Sequence, residues 1–147
     1  MGDAAWNKGR KKPVNVNERL AEDRWSGGVE LTVESREPDL VVAKMAVTDA
    51  ARNAFGTVHA GALIWLADVA ATLCAVGDPG SVGENGEGFP LAIGLHTVLL
   101  GNERDGELTA RSTTVQRGRR VIVVRTLVRS STGRLLIDMT TTHLRAR

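Results

Sequence analysis

Arg52-Asn53-Ala54-Phe55-Gly56-Thr57-Val58-His59-Ala60-Gly61 leads into an apolar run over 62–76, and the rest of the chain reads as arranged around it. The run predicts a helix whose interior carries a carboxylic acid, Asp68, among Leu, Ile, Trp, Val and Ala. At about 100° per residue, Gly61, Ile64, Trp65, Thr72 and Ala75 share the side of Asp68, while Leu63, Leu66, Ala70 and Leu73 lie opposite. Both faces are mostly apolar, so the helix is expected to be buried all round. An ionised Asp in that setting is costly unless paired or hydrogen-bonded, which makes Asp68 the residue to explain.

Outward from the helix, the chain reads as two strands before it and four after it. Residues 29–36 alternate strictly, as a strand with one wet face does, and 40–47 read as a second strand after the Glu37-Pro38-Asp39 turn. Beyond the helix, 77–88 is a Gly-rich, acidic stretch expected to be a flexible loop outside the core, with a mobile cover over a site as the other reading. It has no GKS or GKT ending and no basic residue, so it fits no phosphate-binding fingerprint. Residues 89–100, 107–116, 120–130 and 134–144 read as strands joined by Gly-containing connectors. An α+β domain follows, with a curled antiparallel sheet wrapped around one central helix, because that gives the helix apolar neighbours on most sides. Residues 1–26 show no clear period and are expected to be flexible or partly helical, with a short helix over 17–25; residues 27–147 form the single domain.

With 147 residues, 42% of them hydrophobic and 24% charged, the chain is an ordinary globular domain. A net charge of +2 gives no ground for a nucleic-acid partner, and part of the basic excess (Lys8, Arg10, Lys11, Lys12) sits in what reads as a solvated tail. The lone Cys74 excludes an internal disulfide and fits a reducing compartment, so a cytoplasmic location is expected. Segment 60–77 is short for a membrane span and has Asp68 at its middle, so no membrane association is expected. The three histidines, His59, His96 and His143, fall in different elements without ligand spacing, and neither a metal nor another cofactor is expected.

The central stretch carries the chemistry. The first turn of a helix leaves backbone N–H groups open at a partly positive end, which polarises a carbonyl lodged there and stabilises an oxyanion on it. Asp68 lies about 10 Å further along the axis on the side of Gly61, so a planar acyl group fits between the two. Thr72, one turn on, is placed to hold a water, and Asn53 offers an amide. This set suits attack on an activated acyl group, with Asp68 either nucleophile or general base. The plainer readings stay open at this point: Asp68 as a structural acid satisfied by backbone or Arg, Thr72 bonded to its own helix, His59 structural, and Cys74 a core thiol.

Asn53-x-x-Gly56-x-x-His59-x-Gly61, followed by Asp68 and Thr72, resembles the hotdog-fold acyl-CoA thioesterases, those of the phenylacetate-degradation and 4-hydroxybenzoyl-CoA types in particular. The resemblance covers about residues 27–145. It implies hydrolysis of an aryl- or medium-chain acyl-CoA, with Asp68 as the catalytic carboxylate, Asn53 near the thioester, Thr72 near the attacking water and the Ala60 N–H as oxyanion donor beside His59. It also implies dimers or tetramers with the active site at a subunit interface. Gly61, Ile64 and Trp65 flank the Asp68 face and are candidates to line the substrate pocket, with core packing an equal reading for Ile64 and Trp65. Arg119 and Arg120 of the Arg117-Gly118-Arg119-Arg120 turn are candidates for the phosphates of coenzyme A, with an ordinary charged hairpin the other reading. Two departures stand out: Ala60 replaces the usual Gly after the His, and Gly101-Asn102 replaces the common Arg-Pro. A hotdog enoyl-thioester hydratase using His59 with the acid, and a non-catalytic acyl-CoA-binding protein, are the alternatives.

Overall fold

The structure, a computed structural model, describes residues 15–26 and 28–147; the basic tail expected over the first dozen positions lies outside the described residues. A short helix α1 (Val16–Ala21) precedes strands β1 (Arg24–Ser26), β2 (Glu30–Glu37) and β3 (Leu40–Ala46). The long helix α2 (Ala60–Val76) follows, and then β4 (Pro90–Leu99), β5 (Glu107–Arg117), β6 (Val121–Arg129) and β7 (Leu135–Arg145). All pairings are antiparallel, in the spatial order β1-β2-β3-β5-β6-β7-β4. β4 therefore crosses to the far edge after α2, and β5 returns to pair with β3.

The period-2 pattern puts the core on one face of this sheet. Leu31 and Val33, Val41 to Met45 in alternation, Leu108 and Ala110, Ile122, Val124 and Val128, and Ile137 and Met139 are all buried. Register shifts at Val33/Ser35, Ala92/Gly94 and Thr114/Gln116 add the local bends that curl the sheet. α2 lies in the hollow, and its Ala67, Ala70 and Ala71, fully buried, let the backbone sit close to the strands. Here is the sheet wrapped around one helix that the sequence predicts: the hotdog fold.

Both ends of α2 are held from outside the helix. At its C-terminus Gly77 takes φ 68°, and Arg117 donates from Nη1 to the Ala75 carbonyl and from Nη2 to the Cys74 carbonyl, both at 2.8 Å. The guanidinium thus satisfies carbonyls that have no intrahelical partner, at the partly negative end. Its Nε donates to Asp39 at 2.8 Å, and that bond holds the Asp39 carboxyl below the usual range. The next residue, Gly118, has no room for a side chain: a Cβ there would stand 2.7 Å from the Val121 carbonyl oxygen.

Three expectations change. The N-terminal helix ends at Ala21, and Arg24 and Trp25 belong to β1, paired with β2. The 77–88 stretch is not a loose loop. Asp78 accepts from Gly80 N at 2.9 Å to cap a short turn, Val82 is in the core, and the Glu84 carbonyl accepts from Val16 N at 3.1 Å. Finally, α2 is not buried all round. Ala60 and Gly61 are exposed and Ile64, Trp65, Asp68, Val69 and Thr72 half-buried, because the sheet covers only the opposite side. Among the described residues, no helix is long and apolar enough to cross a membrane.

Candidate active site

The approach to α2 is a tight loop built by the motif residues themselves. The Asn53 side-chain oxygen accepts from Phe55 N (2.9 Å) and Thr57 N (3.2 Å), and its Nδ2 donates to Thr57 Oγ1 (2.8 Å). Gly56 supplies φ 75°, a left-handed conformation that favours glycine. Asn53 therefore shapes the loop, which leaves one amide hydrogen for a ligand. Asn102, at the position of the departure from Arg-Pro, clamps Val58: its Oδ1 accepts from Val58 N (3.0 Å) and its Nδ2 donates to Val58 O (2.7 Å). Arg52 and Arg104 tie the two loops further, through the Arg104 and Phe55 carbonyls respectively.

His59 is the N-cap of α2, exposed, with no side-chain capping bond; its carbonyl accepts from Ala62 N and Leu63 N. The Ala60 and Gly61 N–H groups have no partner among the described residues and open to solvent at the positive helix end.

Two turns on, Asp68 forms no ion pair, and its Oδ1 is buried without a hydrogen-bond partner. Burial pushes its pKa up, and the nearby His143 pulls it partly back. Asp68, Val69, Thr72 and Leu73 of α2 line a cavity of about 410 Å³ with Val16, Arg19 and Leu20 of α1, Phe89, and Ala92 of β4. This falls within the roughly 300–1,000 Å³ of small-molecule sites. Of the predicted site residues, the structure brings Asp68 and Thr72 together at this cavity. Gly61, Ile64 and Trp65 lie on the same half-open stripe of α2, outside the cavity wall, and Ala60 and His59 stand at its head. Arg119 and Arg120 are exposed at the β5–β6 turn, while Arg117 is taken up by the end of α2. Cys74 is buried, 3.6 Å from the Ser112 carbonyl, and burial raises its pKa.

Sequence reasoning missed the wall of α1, with Phe89 and Ala92, and it passed over His143. The signal for His143 was there: Ile137, Met139, Thr141 and His143 share the inward phase of one strand. His143 is fully buried, its Nε2 2.9 Å from Thr141 Oγ1 and its Nδ1 without a hydrogen bond. Burial holds its pKa down, offset in part by the Pro90 carbonyl and by Asp68. Among the described residues, no group of three His, Cys, Asp or Glu side chains is placed to hold a metal ion.

Helix and curled sheet together make the hotdog fold, and the chain's structural neighbours are proteins of the thioesterase superfamily. A Haemophilus influenzae thioesterase superposes with a TM-score of 0.71 at 21% identity, covering 80% of this chain and 78% of that one. A mutant of a Staphylococcus aureus thioesterase gives 0.71 at 26% identity, covering 80% and 93%. A hypothetical thioesterase from Streptococcus pneumoniae, in complex with coenzyme A, gives 0.70 at 20% identity, covering 79% and 85%. A family model described as a domain of unknown function (DUF4442) matches residues 24–84. No curated protein matches the chain.

Proposed function

We propose that this protein hydrolyses an acyl-CoA thioester to the free acid and coenzyme A, with Asp68 as the reacting carboxylate. One observation carries the reading: Asp68 is an unpaired, half-buried acid on the wall of an apolar cavity, two helical turns from open backbone N–H groups. A structural acid would have a partner for its buried oxygen, and this one has none. The thioester carbonyl rests at the Ala60 and Gly61 N–H groups, Asp68 acts on the reacting centre as general base or nucleophile, and Thr72 orients the attacking water. The methyl of Ala60 leaves its N–H in place. The apolar lining suits an aryl or medium-chain acyl group, as in the phenylacetate-degradation and 4-hydroxybenzoyl-CoA types, and Arg119 and Arg120 supply guanidinium groups for the phosphates. A likeness to a neighbour crystallised with coenzyme A supports the choice of thiol.

The site is completed by a second copy of the chain. β4 is an open sheet edge, and its Leu95 and Leu99, on the inner phase of the strand, are 47% and 49% exposed. An edge of this length with bare apolar side chains calls for a partner, and a two-fold pairing of β4 with β4 covers both copies at once.

Enoyl-thioester hydration would need His59 paired with the acid. His59 is exposed at the helix start and makes no hydrogen bond to Asp68, which favours hydrolysis. The test is release of free thiol from a panel of acyl-CoAs. Asp68→Asn and Asp68→Ala are expected to slow turnover by roughly 10²–10⁴-fold with the fold intact. Undiminished hydrolysis in either variant removes Asp68 from the mechanism, and binding without thiol release makes the protein a carrier.

A further inference from the structure

His143 lies near Asp68, on the strand that pairs with the cavity wall. Its cross-strand partner is Ala92, and residues directly opposite in an antiparallel pair project from the same face of the sheet. Ala92 lines the cavity with Asp68, so His143 projects toward α2 from the floor beside that cavity. Each of the two side chains has one buried polar atom without a hydrogen-bond partner, Asp68 Oδ1 and His143 Nδ1. An orphaned acceptor and an orphaned ring nitrogen on neighbouring elements are complementary once Nδ1 carries a hydrogen.

The other ring nitrogen is provided for in both protonation states. Thr141 Oγ1 lies 2.9 Å from Nε2 and 3.4 Å from the Val124 carbonyl. With the ring neutral and hydrogen on Nδ1, the Thr141 hydroxyl donates to Nε2. When Nε2 takes up a proton, the hydroxyl turns to accept from it and donates to the Val124 carbonyl instead. The ring therefore gains or loses a proton at Nε2 while Nδ1 keeps its hydrogen, and the Pro90 carbonyl and Asp68 both favour the protonated form.

We propose that His143 is a positioning residue for Asp68: its Nδ1, unpaired in this structure, is the donor that steadies the equally unpaired carboxylate oxygen when the site is occupied, and the Thr141 hydroxyl switch lets the ring change charge behind the acid so that the two titrations are coupled. Few other charged groups face Asp68. Arg19 reaches the same cavity from α1, and the inward residues of β2, β3, β5 and β6 are apolar or hydroxyl-bearing. The catalytic part of this inference rests on Asp68 being the reacting group; the coupling itself does not.

Imidazole NMR titration of the full chain, as it is and with Asp68→Asn, tests the coupling without any substrate. Loss of the carboxylate moves the His143 midpoint to lower pH, because the negative charge that favours the imidazolium is gone. A midpoint that stays where it was overturns the proposal. The second measurement is the pH profile of kcat/KM for acyl-CoA hydrolysis. His143→Asn, which keeps an amide N–H near the place of Nδ1 but does not titrate, is expected to retain most of kcat while its acid limb moves to higher pH. His143→Leu loses kcat as well. An acid limb identical to wild type in His143→Asn overturns the proposal. A shifted His143 midpoint in a protein that releases no thiol leaves the pair standing and rejects the thioesterase reading.

Discussion

Replacing Asp68 by Asn should stabilise the protein while it slows the proposed hydrolysis. The carboxylate has a buried oxygen with no hydrogen-bond partner, and its burial outweighs the pull of the nearby His143. Leaving a buried polar group unsatisfied costs about 1–3 kcal/mol, and more where the group is charged. Asn removes the charge at nearly the same volume, so a gain of about 1–2 kcal/mol is expected at neutral pH. For a domain of this size that is a rise in Tm of roughly 3–8 °C. The pH dependence has a definite sign. Burial raises the folded-state pKa of Asp68 above its unfolded value. At a pH below both values the acid is neutral in both states and contributes nothing. As the pH climbs past the unfolded value, the unfolded chain releases its proton first, and stability falls until the folded pKa is passed. The advantage of Asn over Asp should therefore be absent in acid, grow through that window, and stay constant above it. Thermal melts of both proteins across pH, followed by circular dichroism, measure this. A lower Tm for Asp68→Asn at neutral pH would refute the reasoning, since it would mean that the carboxylate stabilises the fold.

Three further outcomes follow from the site and its surroundings. Alanine at Arg119 and Arg120 should raise KM for CoA esters and leave truncated thioesters without the nucleotide unaffected; equal loss on both substrates removes the phosphate role. Glutamate at Leu95 and Leu99 should convert a dimer to a monomer in light scattering, whereas a wild-type chain that is itself monomeric rejects β4 as the pairing edge. Val16→Trp pushes bulk into the cavity from α1, and should lower kcat/KM for long acyl chains about tenfold more than for acetyl-CoA. Uniform loss across chain lengths would place the acyl group elsewhere.

The fold was legible because period and punctuation agreed. Strict alternation over 29–36, Gly-containing connectors and one long apolar run left few ways to bury the helix. The boundaries of the strands after α2 were read to within two residues at each end. What escaped was decided by packing. Nothing in the local sequence says that α1 docks beside Asp68, because that contact depends on the Glu84 carbonyl and the buried Val82 holding the 77–88 stretch in place. Asn53 was readable as a polar group near the helix start, but its binding to Thr57 is a matter of loop geometry. The mean apolar character of α2 concealed its half-open stripe, since Ile64 and Trp65 look like core in any pattern of hydrophobicity.

That stripe explains why one residue carries so much of the reading. A carboxylate sunk fully in the core would stay protonated at neutral pH and be useless as a base, while one on the open surface would be a weak base surrounded by water. Asp68 sits between these limits. The buried sheet face of α2 desolvates one oxygen, the cavity beneath α1 keeps the group within reach of a ligand, and His143 restrains the rise in its pKa. Three different elements, α1, α2 and β7, set these three conditions, so each is open to a separate substitution. If Asp68 is the base, changes at Val16 should alter which acyl group is accepted, and changes at His143 the pH at which it is cleaved. Effects of both on a single parameter would point to a general loss of packing.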